Sequence, residues 1–161
     1  MLDAGQSVNK LKILIVDDSE LNRELLASML EDEYEIYQVE NGKKAIDILE
    51  KSREEFKLVL LDMNMPVMDG YELVQALRDA GYQNPVLMIT AKDAFDDMKL
   101  GFLSGTDDYM VKPVNVNEMV LRVGALLRRA QMASSRRQVI GSTEMNYDSM
   151  TVITDGKSYV L

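Results

Sequence analysis

The chain has no cysteine, no histidine and no tryptophan, and only three prolines and three phenylalanines among its 161 residues. Without cysteine there is neither a disulfide framework nor a thiolate metal site, which is compatible with a reducing compartment. Without histidine the chain can run no imidazole acid–base catalysis, can build few zinc or iron sites, and cannot itself carry a phosphohistidine. Long apolar runs are missing too. None approaches the length of a membrane span, and the leader Met1 to Lys10 is polar, without the apolar centre of a signal peptide. The expectation is a soluble, unexported, cytoplasmic protein with no membrane contact. Basic charge is in deficit: 18 Lys and Arg stand against 27 Asp and Glu, a net charge of −9. The whole excess lies in residues 1–130, which hold 15 basic and 24 acidic side chains. Such a body repels phosphate backbones, so this part is not expected to bind nucleic acid.

What the chain does have is length for one ordinary domain plus an appendage, and a regular alternation of strand and helix signals. Leu11-Lys12-Ile13-Leu14-Ile15-Val16 is an apolar, β-branched run that stops at Asp17-Asp18-Ser19, and it reads as a buried strand ending in acids. Ser19 can cap a helix carrying Leu21, Leu25, Met29 and Leu30 at helical spacing. Tyr34 to Glu40 is a weaker strand, and Asn41-Gly42 can cap a helix with Ala45, Ile46 and Leu49 on one side. The apolar run ending at Asp62 is followed by the loop Met65-Pro66-Val67-Met68-Asp69-Gly70 and a helix over 71–80, closed by Gly81. Val86 to Ile89 is a strand ending at Thr90-Ala91, residues 92–104 read as a short helix, and Asp108 to Val111 is a fifth strand ending at Lys112-Pro113. Asn117 opens a final helix through about residue 130, with Met119, Val120, Val123, Leu126 and Leu127 facing in. This alternation predicts an α/β fold, a parallel sheet covered on both faces, with every flagged polar residue at a strand's carboxyl end, where such sheets bind ligands.

The expected domain runs over residues 10–130, with a polar linker or frayed helix end over 131–137. Beyond it, Val139-Ile140, Thr151-Val152-Ile153 and Tyr159-Val160-Leu161 are short strand candidates, and Asp155-Gly156 is a hairpin turn signal. Residues 138–161 thus form a C-terminal β tail, too small to be stable alone.

Collected at one sheet edge, Asp17, Asp18, Asp62, Thr90 and Lys112 form a chemical set. Each has a plainer reading: Asp62 and Thr90 as strand-end caps, Asp17-Asp18 as helix caps, Lys112 as a surface lysine. Together they suggest more. Three crowded carboxylates need a cation to stay ionised, and with only oxygen ligands the expected ion is Mg2+. Asp62 is then a nucleophile for phosphoryl transfer, with Lys112 and the Thr90 hydroxyl on the phosphoryl oxygens. No glycine loop cradles a nucleotide, and two acids where a phosphate cradle would stand disfavour a nucleotide or flavin site.

Ile-Val-Asp17-Asp18, Leu-Leu-Asp62-Met-Asn-Met-Pro66-Val-Met-Asp69-Gly70, Thr90-Ala91-Lys92 and Asp107-Asp108-Tyr109-Met-Val-Lys112-Pro113 resemble, in order, the signature blocks of receiver domains of bacterial two-component response regulators. The resemblance implies a doubly wound, flavodoxin-like five-stranded parallel sheet of order 2-1-3-4-5; that order is inherited from the family and not from periodicity. It implies that Asp62 accepts a phosphoryl group from a sensor histidine kinase, that Mg2+ sits on Asp17, Asp18, Asp62 and the Asn64 carbonyl, and that Thr90 and Tyr109 are a switch pair. It implies a cis bond at Lys112-Pro113, and phosphate-lifetime tuning by Asn64 and Lys92.

The tail and Leu126-Leu-Arg-Arg129 resemble the winged-helix OmpR/PhoB subfamily, whose receivers dimerise when phosphorylated. Asp107, Asp108, Glu118, Arg122 and Arg129 match its dimer face, while Met98 and Val114 depart from its pattern. On this reading the chain is a phosphorylation-switched regulator of transcription, not a conventional enzyme, and its sequence stops before the helix-turn-helix that would contact DNA. A stand-alone receiver serving as a phosphorelay or protein-interaction module is the alternative. A phosphohydrolase would need a general acid where Asn64 stands.

Overall fold

A computed structural model describes residues 10–52, 54–63, 65, 68–91, 105–135, 137–146 and 150–160. The apolar runs form β1 (Lys12–Val16), β2 (Glu35–Val39), β3 (Phe56–Asp62), β4 (Val86–Thr90) and β5 (Asp108–Val111). They pair in parallel in the order β2-β1-β3-β4-β5, as the resemblance implied. Between and after them run α1 (Glu20–Leu30), α2 (Gly42–Ser52), α3 (Gly70–Asp79) and α4 (Val116–Ser135). The helix expected over 92–104 lies outside the described residues, and so do Asn64, Pro66 and Lys92.

Strands buried on both faces read as unbroken apolar runs, and Ile13, Leu14, Ile15 and Val16 expose no surface. Leu14, Val16, Val59, Leu61 and Met88 meet Ala45 and Leu49 of α2 and Leu73, Val74 and Leu77 of α3 in one cluster. The intervening strand residues point to the opposite face, where Leu26 of α1 shares a cleft with Ile89. Side-chain caps set the helix starts. Ser19 Oγ accepts the Asn22 N–H at 3.3 Å, Asn41 Oδ1 the Lys44 N–H at 2.8 Å, and Asp69 Oδ1 the Glu72 N–H at 2.9 Å.

One expectation shifts and another narrows. The last helix is capped by Asn115, whose Oδ1 accepts the Glu118 N–H at 3.1 Å, and Asn117 lies inside its first turn. Asn115 has a Glu three residues on, the spacing of a capping box, which Asn117 lacks. Of the two readings of 131–137, a linker or a helix end, the second is found: the segment is helical to Ser135, and a strand begins at Arg137. Gln131, Met132 and Ala133 are good helix formers, and nothing in that stretch breaks the turn.

The chain divides into two compact units, Met1–Leu126 and Leu127–Leu161. The second holds an antiparallel sheet of β6 (Arg137–Ile140), β7 (Thr143–Asn146), β8 (Thr151–Thr154) and β9 (Lys157–Val160), paired in that order. Asp155 and Gly156 join the last two with φ of +51° and +75°, the double positive φ of a type I′ hairpin turn. The strand β7 has no sequence signal because Thr-Glu-Met-Asn carries a single apolar residue. Pairing on both sides, with a 2.9 Å hydroxyl bond from Thr143 to Thr154, holds it. Among the described residues no helix is long and apolar enough to cross a membrane.

Candidate functional site

Register brings the strand ends together. Val16 pairs with Leu61, so Asp17 and Asp62 leave neighbouring strands side by side. Asp62 pairs with Ile89, and Thr90 with Val111, so Thr90 and Lys112 emerge on the next two strands at the same edge. Carboxylate oxygens of Asp17, Asp18 and Asp62 all lie within 4.8 Å of one another. Asp17 and Asp62 are only 1% and 5% exposed and Thr90 is fully buried, while Asp18 faces solvent. Lys112 Nζ stands 3.4 Å from Asp62 Oδ1 and 3.9 Å from Asp17 Oδ2.

Burial pushes the Asp17 carboxyl above the usual carboxylate range, and Asp62 and Asp18 push the same way; the Ser19 N–H, 2.9 Å from Oδ1, and Lys112 oppose them. With the Lys112 ammonium set against three carboxylates, this group of residues carries net negative charge. An oxygen-only donor set of this kind suits a hard divalent cation.

Backbone contacts hold the site in place. The Lys112 N–H donates to the Thr90 carbonyl at 2.6 Å, and the Lys112-Pro113 bond is cis. The Gly70 N–H donates to the Met63 carbonyl at 2.9 Å. A Cβ on Gly70 would lie 2.8 Å from Met63 Cα and 2.9 Å from the Asp62 carbonyl oxygen, so only glycine permits this approach. Tyr109 is buried and belongs to the same core cluster as Leu61 and Met88.

The residues matched to a dimer face take different hydrogen-bond partners within the chain. Asp108 grips Arg122 with two bonds of 2.8 and 3.0 Å, and Glu118 holds the same guanidinium at 3.0 Å. Asp107 turns to other partners, Arg78 at 2.7 Å and the Val86 N–H at 2.8 Å. Arg129 is exposed. Asn64 and Lys92 are outside the described residues.

Three residues near these features carried no sequence signal of their role. Arg23 Nη1 donates to the Asp17 carbonyl at 2.8 Å, and Arg78 donates to the carbonyls of Gly105, Tyr82 and Asn84. An arginine on an amphipathic helix reads as a surface charge, and only the folded chain reveals where it reaches. The third, Gly70, stands in an Asp-Gly pair before a helix, a pattern that a cap explains without any close approach.

Comparison with known proteins agrees with this geometry. The family model described as response regulator receiver domain matches residues 13–124. The chain is 36% identical over 149 residues to the heme response regulator HssR of Staphylococcus aureus, covering 92% of this chain and 65% of that protein. It is 35% identical over 147 residues to the transcriptional regulatory protein PcoR of Escherichia coli, covering 91% of this chain and 64% of that one. It therefore spans just under two thirds of these relatives' length. The solved structure of the Vibrio cholerae chemotaxis protein CheY4 matches with a TM-score of 0.66 at 32% identity, over 73% of this chain and 98% of its own. Response regulator DrrB of Thermotoga maritima, described as an OmpR/PhoB homologue, matches in fold with a TM-score of 0.67 at 24% identity, over 94% of this chain and 67% of its own. A matched family model, a shared sheet order and the acidic cluster at the strand ends together mean that this chain belongs to the response regulator receiver domain family.

Proposed function

We propose that Asp62 accepts a phosphoryl group from the phosphohistidine of a sensor histidine kinase, and that the phosphorylated chain changes conformation and dimerises. The observation that carries this reading is the buried Asp62 carboxylate, clustered with Asp17 and Asp18 and facing Lys112 Nζ at 3.4 Å. In the transfer an Asp62 oxygen bonds to phosphorus as the phosphorus–nitrogen bond breaks, and the departing electron pair stays on the donor imidazole. Lys112 and the Thr90 hydroxyl bind the phosphoryl oxygens, and water later cleaves the new phosphorus–oxygen bond. Asp17, Asp18, Asp62 and the Asn64 carbonyl would hold Mg2+, which when bound offsets the charge of the carboxylates and the incoming group.

Thr90 and Tyr109 read the modification, Asn64 and Lys92 tune its lifetime, and Asp107, Asp108, Glu118, Arg122 and Arg129 contribute to the dimer face. Residues 10–130 act as the receiver, and 138–161 open an effector domain that, in a longer chain, would bind DNA through a winged helix. The description of PcoR as a transcriptional regulatory protein supports that output, and a regulator of this kind would work in the cytoplasm.

Incubation with Mg2+ and a small phosphodonor such as acetyl phosphate tests the acceptor. Intact-mass spectrometry should show one added phosphoryl group, abolished by chelator; no incorporation contradicts the reading. Sedimentation with a beryllofluoride phosphoryl mimic tests the output, and an unchanged monomer contradicts the dimer.

A further inference from the structure

Asp17 is anchored at more points than a strand-end cap needs. Its N–H donates to the Val39 carbonyl at 3.2 Å, its Oδ1 accepts the Ser19 N–H at 2.9 Å, and its carbonyl accepts Arg23 Nη1 at 2.8 Å. The oxygen left over, Oδ2, is the one that faces Lys112 at 3.9 Å. The first two bonds lie within the ordinary repertoire of a strand-to-helix turn. The third is different. It comes from a half-buried guanidinium on α1, whose own backbone N–H continues the helix to the Ser19 carbonyl at 3.0 Å.

A water could satisfy a carbonyl at this edge, so satisfying it is not what the guanidinium adds. Arg23 ties α1 to the end of β1 across the turn that presents Asp17 and Asp18. It also brings a positive charge that no accessible pH removes to the backbone of Asp17. That charge reaches further: Glu40, the residue after β2, is held below the usual carboxylate range chiefly by Lys44 and in smaller part by Arg23. Arg23 thus spans the turns after β1 and β2.

We propose that Arg23 is a positioning residue of the cation seat, setting the orientation of the Asp17-Asp18 turn through the Asp17 carbonyl and thereby the affinity for the divalent ion. The proposal rests on reading the acidic cluster as a Mg2+ site. Outer partners that orient metal ligands change affinity by about 10- to 100-fold when removed, and loss of this bond belongs at the lower end because it acts through the backbone.

Arg23→Met keeps most of the aliphatic stem and removes the donor; Arg23→Lys restores a donor and a charge. Calorimetric titration with Mg2+ alone should give a dissociation constant about tenfold weaker for Arg23→Met, with most of the loss recovered in Arg23→Lys. The rise in Tm that Mg2+ produces should shrink in Arg23→Met, whereas a residue that only packs would lower Tm equally with and without the ion. Phosphate incorporation should recover at saturating Mg2+. If Arg23→Met lacks a cooperative thermal transition, Arg23→Gln is held to the same criteria. A folded Arg23→Met protein with unchanged Mg2+ affinity overturns the role of Arg23. An unaltered chain that binds no Mg2+ overturns the cation reading beneath it.

Discussion

The Lys112 ammonium stands 3.4 Å from Asp62 Oδ1, on a backbone whose N–H is bonded to the Thr90 carbonyl at 2.6 Å. Lys112 is thus aimed at Asp62 by the strand beside it. If Asp62 is the acceptor, as proposed, charge that develops on the transferring phosphoryl group would meet a cation already in place, which costs no reorganisation. Lys112→Ala should slow phosphorylation by a small donor by about 100-fold, the scale of losing one preorganised electrostatic contact, while its circular dichroism spectrum stays that of the parent. Quenched time courses of incorporation at fixed Mg2+ read the rate.

Asp17 makes a prediction about pH. Its folded carboxyl is raised above the ordinary 3.8, chiefly by burial. The native state then holds that proton more tightly than the unfolded chain does. Stability from this residue is complete below about pH 4 and is lost as pH rises through the elevated folded value. In Mg2+-free buffer Asp17→Asn should therefore raise the urea midpoint at neutral pH, since an amide keeps the bond from the Ser19 N–H without the buried charge. Added Mg2+ should stabilise the unaltered chain and narrow the difference. A midpoint for Asp17→Asn below the parent in Mg2+-free buffer would contradict this.

Gly70 predicts a coupled effect on fold and site. An added methyl would meet the Met63 Cα at 2.8 Å and the Asp62 carbonyl at 2.9 Å, both backbone atoms that cannot step aside alone. Gly70→Ala should cost about 1–3 kcal/mol, the usual range for overpacking, and slow phosphorylation by shifting Asp62. Urea unfolding reads the first and incorporation rate the second; a neutral substitution on both counts would be inconsistent with the close approach.

Arg78 and Asp107 predict a stability effect away from the site. Arg78 fastens the carbonyls of Tyr82, Asn84 and Gly105 as well as Asp107, which also accepts the Val86 N–H. Arg78→Ala should destabilise by about 2 kcal/mol or more, since bonds from a charged donor are worth about 1.5–3 kcal/mol each and are not additive. A double-mutant cycle with Asp107→Ala should show coupling of at least about 0.5 kcal/mol, checked by chemical denaturation. Independent effects would remove Asp107 from this network and return it to the surface.

The sheet and its acidic edge were legible in sequence for one physical reason. A strand buried on both faces must be an unbroken apolar run, and Asp17, Asp62, Thr90 and Lys112 each sit where such a run ends. The hairpin at Asp155-Gly156 was legible because few residue pairs tolerate two positive φ values. The strand Thr143–Asn146 was not, since pairing and not composition holds it. Asn115 and Asn117 offer similar caps, and the Glu at the third position decided between them. The reach of Arg23 and Arg78 is tertiary: which carbonyl a long side chain finds depends on how the folded elements are placed around it. The in-chain pairing of Asp108 and Glu118 with Arg122 is of the same kind, and it means that dimerisation through them would exchange existing ion pairs for new ones.

The function proposed for this chain requires that Asp62 itself carry the phosphoryl group. An acyl phosphate, unlike a phosphate ester or a free carboxylate, is reduced by borohydride, converting the aspartate to homoserine. After Mg2+ and acetyl phosphate, reduction and peptide mass spectrometry should find homoserine at position 62 and at no other aspartate, and none in the Asp62→Asn protein. Homoserine at position 17 or 18, or undiminished phosphate on Asp62→Asn, would contradict it.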